Sequence, residues 1–565
     1  MGAAVPSGPM EVNLARLHEA VAAAVPDREC IVWRDRRLTY ADVTQRSRRL
    51  ANVLVGRGLG PCRMSRDGLD GHQSHQDHLA LYLHNGNEYL EAMLGAYKAR
   101  VAPLNVNYRY VADELRHLLT DSGARGVVYH GAFAPTLAAV RAEVVGLELL
   151  LQVDDGSGHE LPPGALDYEA ALAAASPELP SDLVAAWSPD DLYILYTGGT
   201  TGHPKGVLWR QADIWVASLG GRELASGREV TDLEAVVANA RNGGARTLTA
   251  APFMHAAGHW LAFVAFTGGN TVVLPDVTSE LDAASVWSTV EREQVNAVLI
   301  VGDAFARPLV RELDRHAYDL SALRMLITGG APLSAPLKDR VLSALPELMI
   351  VDTAGASETG TQMVHVSASG PAARSGTFGA APGAVVVNED LTGVLPPGHD
   401  GIGWLAQRGR VPLGYLNDEA RTTRTFPMIH GERMAVPGDR ARRHVDGTIE
   451  LLGRDSATVN SGGEKIFAEE VEAAIARHPD VGDVVVAARD SERWGQEVVA
   501  IVALATGATA TEADLLAEAA RHLARYKLPK AFVFVESVVR SPAGKADYRW
   551  ARTVAEAAAS APAPP

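Results

Sequence analysis

Short apolar runs alternate with helix-like segments along most of this chain. The strand-like runs are residues 79–83, 127–129, 192–196, 271–274, 298–301 and 325–328. Segments such as residues 286–293 lie between them and repeat apolar positions with helical spacing. Alternation of this kind predicts an α/β fold in which helices cover mostly parallel sheets.

The first sixty residues predict a compact βα beginning. Residues 14–24 have helical periodicity, and residues 31–33 read as a strand. Thr39 stands before an amphipathic run, with Asp42 three positions later. This spacing predicts a capping box at the start of a helix.

The pattern changes after Gly453 to a short, self-contained set of elements. It predicts helices at residues 469–477 and 511–524 and strands at residues 483–488, 498–504 and 531–535. Thr511 and Asp514 mark the start of the second of these helices. We therefore expect a large domain over residues 1–455 and a small α+β domain over residues 456–565.

Length and composition agree with two domains and exclude several classes of protein. The chain has 565 residues, 47% of them hydrophobic, which is more than one domain usually holds. Its net charge of −16 argues against a nucleic-acid or anionic-membrane surface. Cys30 and Cys62 are the only cysteines, so a disulfide framework is excluded. With no long apolar window, the sequence predicts a soluble, cytoplasmic protein without a transmembrane segment.

Residues 61–78 form a polar, glycine-containing segment that predicts a loop, and it looks like an insertion. It contains His72, His75 and His78. A metal site is one interpretation of three histidines at this spacing. A solvated loop is favoured, because the segment lacks a supporting set of acidic ligands.

A candidate phosphate loop follows the apolar run at residues 192–196. Its sequence is Tyr-Thr-Gly-Gly-Thr-Thr-Gly-His-Pro-Lys-Gly-Val, residues 196–207. Glycines allow the backbone to approach an anion, threonine hydroxyls donate to phosphate oxygens, and lysine adds positive charge. The candidate ATP-binding residues are Thr197, Gly198, Gly199, Thr200, Thr201, Gly202 and Lys205. Lys205 lies between Pro204 and Gly206, so this is not a Walker A loop, and a plain surface turn is the alternative.

The loop resembles the signature loop of the adenylate-forming enzymes. That superfamily includes acyl-CoA synthetases, luciferases and the adenylation domains of peptide synthetases, which activate carboxylic acids as acyl-AMP. Further motifs follow in the family's order, and the resemblance spans about residues 27–549. They are Pro252-Phe253-Met254-His255, Gly329-Gly330-Ala331-Pro332, Ala354-Gly355-Ala356-Ser357-Glu358-Thr359, Pro437-Gly438-Asp439-Arg440, Gly453-Arg454-Asp455 and Ser541-Pro542-Ala543-Gly544-Lys545.

The resemblance implies a role for each motif in binding the nucleotide. Adenosine is expected at Gly330, Ala331 and Pro332 and at Ala354 and Gly355, with Ser357 meeting the α-phosphate. Asp439 and Arg454 are expected at the ribose, where a carboxylate suits two hydroxyl donors. Ala354 replaces the family's usual aromatic residue, so adenine stacking from this position is in question.

The same resemblance implies three catalytic residues. Lys545 is expected to bridge the substrate carboxylate and the α-phosphate, and His255 to lie near the acyl site. Glu358 is the expected ligand of Mg²⁺, an ion that often binds through one carboxylate and phosphate oxygens. Taken alone, His255 reads as a packed core residue and Lys545 as a solvated lysine.

The small domain is expected to turn about residue 456. Relatives carry Asp or Lys at this pivot, whereas this chain has Ser456. The turn would bring Ser461, Gly462 and Gly463 to the site for coenzyme A. The C-terminal segment that carries Lys545 also holds a basic cluster, which either attracts coenzyme A phosphates or is a solvated face. Its members are Arg521, Arg525, Lys527, Lys530 and Arg540.

The sequence thus predicts an ATP-dependent acyl-CoA synthetase that uses ATP, Mg²⁺ and coenzyme A. Residues 197–202, 302–308 and 433–439 resemble actinobacterial acyl-CoA ligases that act on steroid side chains. This resemblance implies a bulky polycyclic or long-chain acid as the substrate. Two alternatives stay open: an adenylating enzyme that loads a carrier protein, and a catalytically silent nucleotide-binding subunit. A homodimer is also left open.

Overall fold

The computed structural model describes residues 10–60, 66–197, 204–223, 226–331, 333, 335–368, 377–454, 458–539 and 548–559. The helices are α1 (Leu14–Ala24), α2 (Tyr40–Gly56), α3 (Asn87–Lys98), α4 (Ala112–Ser122), α5 (Ala134–Arg141), α6 (Tyr168–Ala174), α7 (Ser181–Ala185), α8 (Gln211–Ser218), α9 (Leu233–Arg241), α10 (Ala256–Thr267), α11 (Ala283–Arg292), α12 (Gly302–Leu313), α13 (Ala335–Ala344), α14 (Glu419–Thr425), α15 (Ala468–Ile475), α16 (Glu512–Ala520) and α17 (Tyr548–Ala559).

The strands follow the same chain order. They are β1 (Glu29–Trp33), β2 (Arg36–Thr39), β3 (His78–Tyr82), β4 (Ala102–Asn105), β5 (Ala124–His130), β6 (Leu149–Val153), β7 (Leu166–Asp167), β8 (Leu192–Thr197), β9 (Lys205–Arg210), β10 (Arg246–Thr249), β11 (Thr271–Leu274), β12 (Ala297–Ile300), β13 (Met325–Thr328), β14 (Met349–Ala356), β15 (Gly360–Ser367), β16 (Thr377–Ala380), β17 (Ala384–Val387), β18 (Gly403–Arg408), β19 (Gly414–Tyr415), β20 (Met428–Ile429), β21 (Glu432–Ala435), β22 (Asp439–Arg443), β23 (Ile449–Arg454), β24 (Thr458–Ser461), β25 (Glu464–Phe467), β26 (Val481–Ser491), β27 (Gly495–Leu504) and β28 (Ala531–Phe534).

The largest sheet begins parallel and continues antiparallel. Strands β1, β11, β10, β12, β13 and β14 pair in parallel, in that order. From β14 onward, through β15, β16, β23 and β22, the neighbours are antiparallel. The runs that predicted mostly parallel sheets lie within residues 79–328, and the chain beyond β14 adds antiparallel strands to the same sheet. Only residues 357–359 separate β14 from β15, and so short a connection permits an antiparallel pair but not a crossover.

A second, parallel sheet has the order β4-β3-β5-β6-β7. Every residue of α3 is buried, and this helix contacts both β1 of the first sheet and β3 of the second. Its apolar side chains join a core that includes Tyr89, Leu90 and Leu94. Its charged residues Glu88, Glu91 and Lys98 are buried as well, and each is paired with an oppositely charged side chain of a neighbouring element.

A separate sheet, β25-β24-β27-β26 with β28 beside β27, follows residue 457. Its apolar core lies beneath α15 and α16. The expected elements are confirmed within a few residues, except that α16 ends at Ala520 and a 3₁₀ turn follows at Arg525–Lys527. The capping boxes of Thr39 with Asp42 and of Thr511 with Asp514 are confirmed.

The expected loop at residues 61–78 is confirmed for residues 66–77, while residues 61–65 lie outside the described residues and His78 begins β3. His78 is engaged through both ring nitrogens, by Ser122 O and by Ser74 Oγ. Among the described residues, no group of three or more His, Cys, Asp or Glu side chains is placed to hold a metal ion. Within the same residues, no helix is both long and apolar enough to cross a bilayer.

Candidate active site

The candidate phosphate loop is the tip of an antiparallel hairpin. Thr197 ends β8 and lies opposite Lys205, which begins β9. The loop residues Gly198, Gly199, Thr200, Thr201 and Gly202 lie outside the described residues. The Lys205 ammonium is 3.8 Å from Oδ2 of Asp418, and its side chain is only 15% exposed. The hairpin therefore fixes both ends of the loop and directs a largely buried cation to its base.

The Ser357–Glu358 turn is held against this hairpin by two hydrogen bonds. Trp209 Nε1, on β9, donates to the Ser357 carbonyl oxygen at 2.9 Å. The Tyr415 hydroxyl donates to Glu358 Oε1 at 2.7 Å, and β19, which carries Tyr415, pairs with β9. The three-stranded sheet β19-β9-β8 thus places Glu358 beside the strand that begins with Lys205.

Glycine is required where β14 approaches β15. A Cβ atom on Gly355 would overlap the Gly360 carbonyl oxygen, a contact that no side chain tolerates. Gly355 therefore keeps the two strands close up to the turn that carries Ser357 and Glu358. Its expected contact with adenosine stays a prediction.

The predicted adenosine residues lie at the carboxyl ends of two neighbouring strands. Gly330 follows β13 and has φ +79°, a conformation that favours glycine. Thr353 of β14 donates its hydroxyl to the Thr328 carbonyl oxygen at 3.0 Å, which fastens the two strand ends together. Ala354 packs partly buried beside a small core that includes Met363. Ala331 continues the β13 loop, whereas Pro332 lies outside the described residues.

The two predicted ribose residues face each other on adjacent strands. Asp439 begins β22 and lies in register with Arg454, the last residue of β23. The Arg454 side chain lies outside the described part of the structure. Both strands belong to the sheet that contains β13 and β14, so the predicted ribose and adenosine residues lie along one continuous sheet.

His255 and Arg109 meet a glutamate of the small domain. His255 directly precedes α10, and its Nε2 donates to Glu464 Oε1 at 3.0 Å. Arg109 donates to the same oxygen at 2.7 Å. Burial raises the pKa of Glu464, but the contacts with His255 and Arg109 lower it by more. The pKa of Glu464 therefore lies below its ordinary value. A buried carboxylate therefore joins the two domains at the predicted acyl-site histidine.

The turn of Ser461, Gly462 and Gly463 lies over the strand ends. Gly463 has φ +85°, and a Cβ atom there would come within 2.8 Å of Val301 Cγ1. A Cβ on Gly330 would lie 3.8 Å from the same Val301 atom. The small-domain turn and the predicted adenosine loop therefore flank one residue at the end of β12. Ser456 and Lys545 lie outside the described residues.

The structure separates the members of the predicted basic cluster. Lys527 is only 4% exposed and binds Glu114 and Glu470, so it is not available for coenzyme A phosphates. This part of the expectation is wrong, because the lysine is used between the domains. Arg521 is exposed and pairs with Glu518, Arg525 and Lys530 are exposed, and Arg540 lies outside the described residues.

Several residues that shape the site were not foreseen. Tyr415, Trp209 and Asp418 act through partners far away in sequence: Tyr415 and Glu358 are 57 residues apart, and Trp209 and Ser357 are 148 apart. Contacts over such separations leave no periodic pattern in the sequence. Glu464 was visible as a charged residue directly after a glycine pair, although that position does not reveal its partner.

Glu358 suits the predicted role of a magnesium ligand. It is a hard oxygen donor next to the phosphate hairpin, and the Tyr415 hydroxyl orients it through one oxygen. A Mg²⁺ ion bound between one carboxylate and phosphate oxygens requires no larger protein cage.

Comparisons with known proteins agree with this arrangement. The family model described as "AMP-binding enzyme" matches residues 18–416, and the one described as "AMP-binding enzyme C-terminal domain" matches residues 470–545. The chain is 55% identical over 535 residues to the medium-chain acyl-CoA ligase Mig of Mycobacterium avium, covering 94% of this chain and 96% of that protein.

A second relative is the 3-oxocholest-4-en-26-oate–CoA ligase of Rhodococcus rhodochrous. It is 37% identical over 552 residues, covering 96% of each chain. Among solved structures, the amide bond synthetase McbA of Marinactinospora thermotolerans superposes with a TM-score of 0.74 at 20% identity, covering 96% of this chain and 99% of that one. At that identity the likeness shows the shared fold alone.

Proposed function

Because the chain belongs to the family of AMP-binding enzymes, we propose that it is an AMP-forming acid–CoA ligase that converts a carboxylic acid to its coenzyme A thioester. The observation that carries this proposal is the convergence on one site. The Lys205 hairpin, the Glu358 turn and the Gly462–Gly463 turn of the second domain meet at the carboxyl ends of β12 to β14.

The first half-reaction needs charge stabilisation around a nucleotide. The substrate carboxylate attacks the α-phosphate of ATP, pyrophosphate leaves, and a mixed anhydride forms. We assign Lys205 and Lys545 to the developing phosphate charge and the Ser357 hydroxyl to the α-phosphate. Asp439 and Arg454 bind the ribose, and Gly330, Ala331, Pro332, Ala354 and Gly355 surround the adenosine. Glu358 would hold Mg²⁺, which when bound would supply Lewis-acid charge to the phosphate oxygens.

The second half-reaction needs access for a thiol. The coenzyme A sulfur attacks the acyl carbonyl, and AMP leaves. We assign the Ser461–Gly463 turn to this step, since it lies over the strand ends in the described arrangement. His255 is assigned to the acyl side of the site, where it contacts Glu464 of the small domain.

We propose a medium- to long-chain or polycyclic acid as the substrate. Its support is the pair of relatives whose names specify medium-chain acids and 3-oxocholest-4-en-26-oate.

We also propose that the domain boundary lies between residues 455 and 456, that Ser456 is the pivot, and that the protein is cytoplasmic. The possible homodimer is a question for light scattering coupled to size-exclusion chromatography.

Product analysis tests the function. Purified protein with MgATP, coenzyme A and a panel of acids should give AMP, pyrophosphate and a thioester. Lys545→Ala should lower acyl-AMP formation by at least about a hundredfold, because it removes a charge that acts on the transition state. Lys530→Ala, at an exposed lysine of the same domain, should leave this step unchanged.

Two other product patterns would contradict the proposal. Acyl-AMP formation without any thioester, together with acylation of a carrier protein, would identify a carrier-loading enzyme. Nucleotide binding without turnover of any acid would identify a silent subunit.

A further inference from the structure

A buried lysine joins two glutamates from different domains. Lys527 Nζ lies 2.7 Å from Glu114 Oε1 of α4 and 2.9 Å from Glu470 Oε2 of α15. The three side chains are 5%, 9% and 6% exposed, respectively. Burial lowers the pKa of Lys527, yet its surroundings raise it well above its ordinary value, through Tyr526 first and then through Glu470, Tyr110 and Glu114. The cluster is therefore a charged bridge that water hardly reaches.

Glu114 also binds backbone groups on both sides of the domain interface. Its Oε2 accepts from the Ala524 amide at 3.0 Å and from the Val111 amide at 3.2 Å. The second bond caps α4, whereas the first one crosses to the small domain. One carboxylate thus receives a lysine and a backbone amide from the other domain.

Further contacts of this interface come from the same short segment of the large domain. Asn107 Nδ2 donates to the Tyr526 hydroxyl at 3.0 Å, and Arg109 binds Glu464. Asp113 Oδ2 lies 3.0 Å from His522 Nδ1, in a more exposed contact. We call residues 107–114 the docking segment. The contacts of the docking segment and the close approach of Gly463 to Val301 occur in the same arrangement of the two domains.

The two glutamates of the bridge respond differently to a turn of the small domain. Glu470 belongs to that domain and stays with Lys527 in any orientation, whereas Glu114 belongs to the large domain. The Lys527–Glu114 contact therefore contributes free energy to one orientation only, and a contact with that property shifts the population between orientations. A buried pair is well suited to this role, because salt screens it little.

We propose that Glu114 is a positioning residue for thioester formation: its bridge to Lys527 holds the small domain in the orientation that presents the Gly462–Gly463 turn to the acyl-AMP. This inference rests on the proposed acyl-CoA ligase function. Glu114 acts through Lys527 and the domain orientation, and it does not touch the reacting atoms.

The test separates the two half-reactions in the full-length protein. Glu114→Gln keeps the shape of the side chain and an oxygen that accepts from the Val111 amide, but it removes the charge that faces Lys527. We expect the single-turnover rate of thioester formation from preformed acyl-AMP and coenzyme A to fall by about tenfold or more. Adenylate formation, followed by pyrophosphate exchange, should stay within about twofold of the wild type.

Asp113→Asn is the matched control. It removes a carboxylate charge of the same docking segment that meets His522 and Arg116 and is 42% exposed, so thioester formation should change by less than about threefold. A direct readout of orientation complements the rates. Dyes at Val145→Cys and Ala517→Cys, both exposed and in different domains, report the domain arrangement by energy transfer in a Cys62→Ser background.

Glu114→Gln should shift the energy-transfer distribution away from that of the wild type, and Asp113→Asn should not. Equal losses in both half-reactions would overturn the proposal, since a general structural defect has that effect. Unchanged thioester formation would overturn it as well. If the ligase function itself were wrong, the wild-type protein would form no thioester, and that result differs from either outcome for the variant.

Discussion

At the scale of single residues, the hydroxyl of Tyr415 is the group that orients Glu358. We expect Tyr415→Phe to raise the Mg²⁺ concentration that gives half-maximal thermal stabilisation by ATP, by about tenfold, because a hydrogen bond to a charged group contributes about 1.5–3 kcal/mol. Phenylalanine keeps the ring beside Phe426. Thermal unfolding at fixed ATP and increasing Mg²⁺ measures the effect without any turnover.

Tyr318→Phe is the matched control for this prediction. It removes a similar bond, 2.8 Å long, from a tyrosine hydroxyl to Glu312, and neither residue belongs to a predicted site motif. Its Mg²⁺ dependence should equal that of the wild type. An unchanged Mg²⁺ dependence in Tyr415→Phe would show that Glu358 needs no such support.

The sequence was enough to predict which motif residues lie close together, but not which other residues support them. Thr197, Lys205, Ser357 and Glu358 lie on adjoining strands and turns, as the motifs indicated. Asp418 beside Lys205 and Tyr415 beside Glu358 follow from the pairing of β19 with β9, which joins residues about two hundred positions apart. Local patterns carry no information about such pairs.

At the scale of elements, buried parallel strands were the easiest to predict. The runs at Thr271–Leu274 and Met325–Thr328 match the observed strands residue for residue, because strands covered on both faces read as continuous apolar runs. The antiparallel region after Met349 was harder to predict. Strands such as β22, with the sequence Asp-Arg-Ala-Arg-Arg, have partly exposed faces and few apolar residues.

The capping box of α2 gives an element-scale prediction. Thr39→Ala removes the acceptor for the Asp42 amide and should lower the free energy of unfolding of the large domain by about 1 kcal/mol. Urea unfolding measures this difference. Thr423→Ala, at an exposed position within α14, is the control and should change stability by less than about 0.5 kcal/mol. Equal effects of the two substitutions would show that the capping box does not contribute to the free energy of unfolding of the large domain.

At the scale of the whole molecule, the close approach of Gly463 to Val301 shows how the two domains meet at the site. Gly463→Ala would place a Cβ atom 2.8 Å from Val301 Cγ1, across the domain interface. Gly462→Ala imposes a similar left-handed strain at φ +60°, but among the described residues its Cβ would meet only Trp494 of its own domain, at 3.1 Å. The two substitutions therefore differ mainly in the clash between domains.

We expect Gly463→Ala to slow thioester formation by at least about tenfold more than Gly462→Ala does, while both leave adenylate formation within about threefold of wild type. Adding Val301→Ala removes the atom that faces residue 463, so it should restore part of the loss in Gly463→Ala and none in Gly462→Ala. Single-turnover measurements of the two half-reactions provide both comparisons. If Val301→Ala failed to rescue, the loss in Gly463→Ala would come from backbone strain within the turn, and the packing of this turn on β12 would not control the second half-reaction.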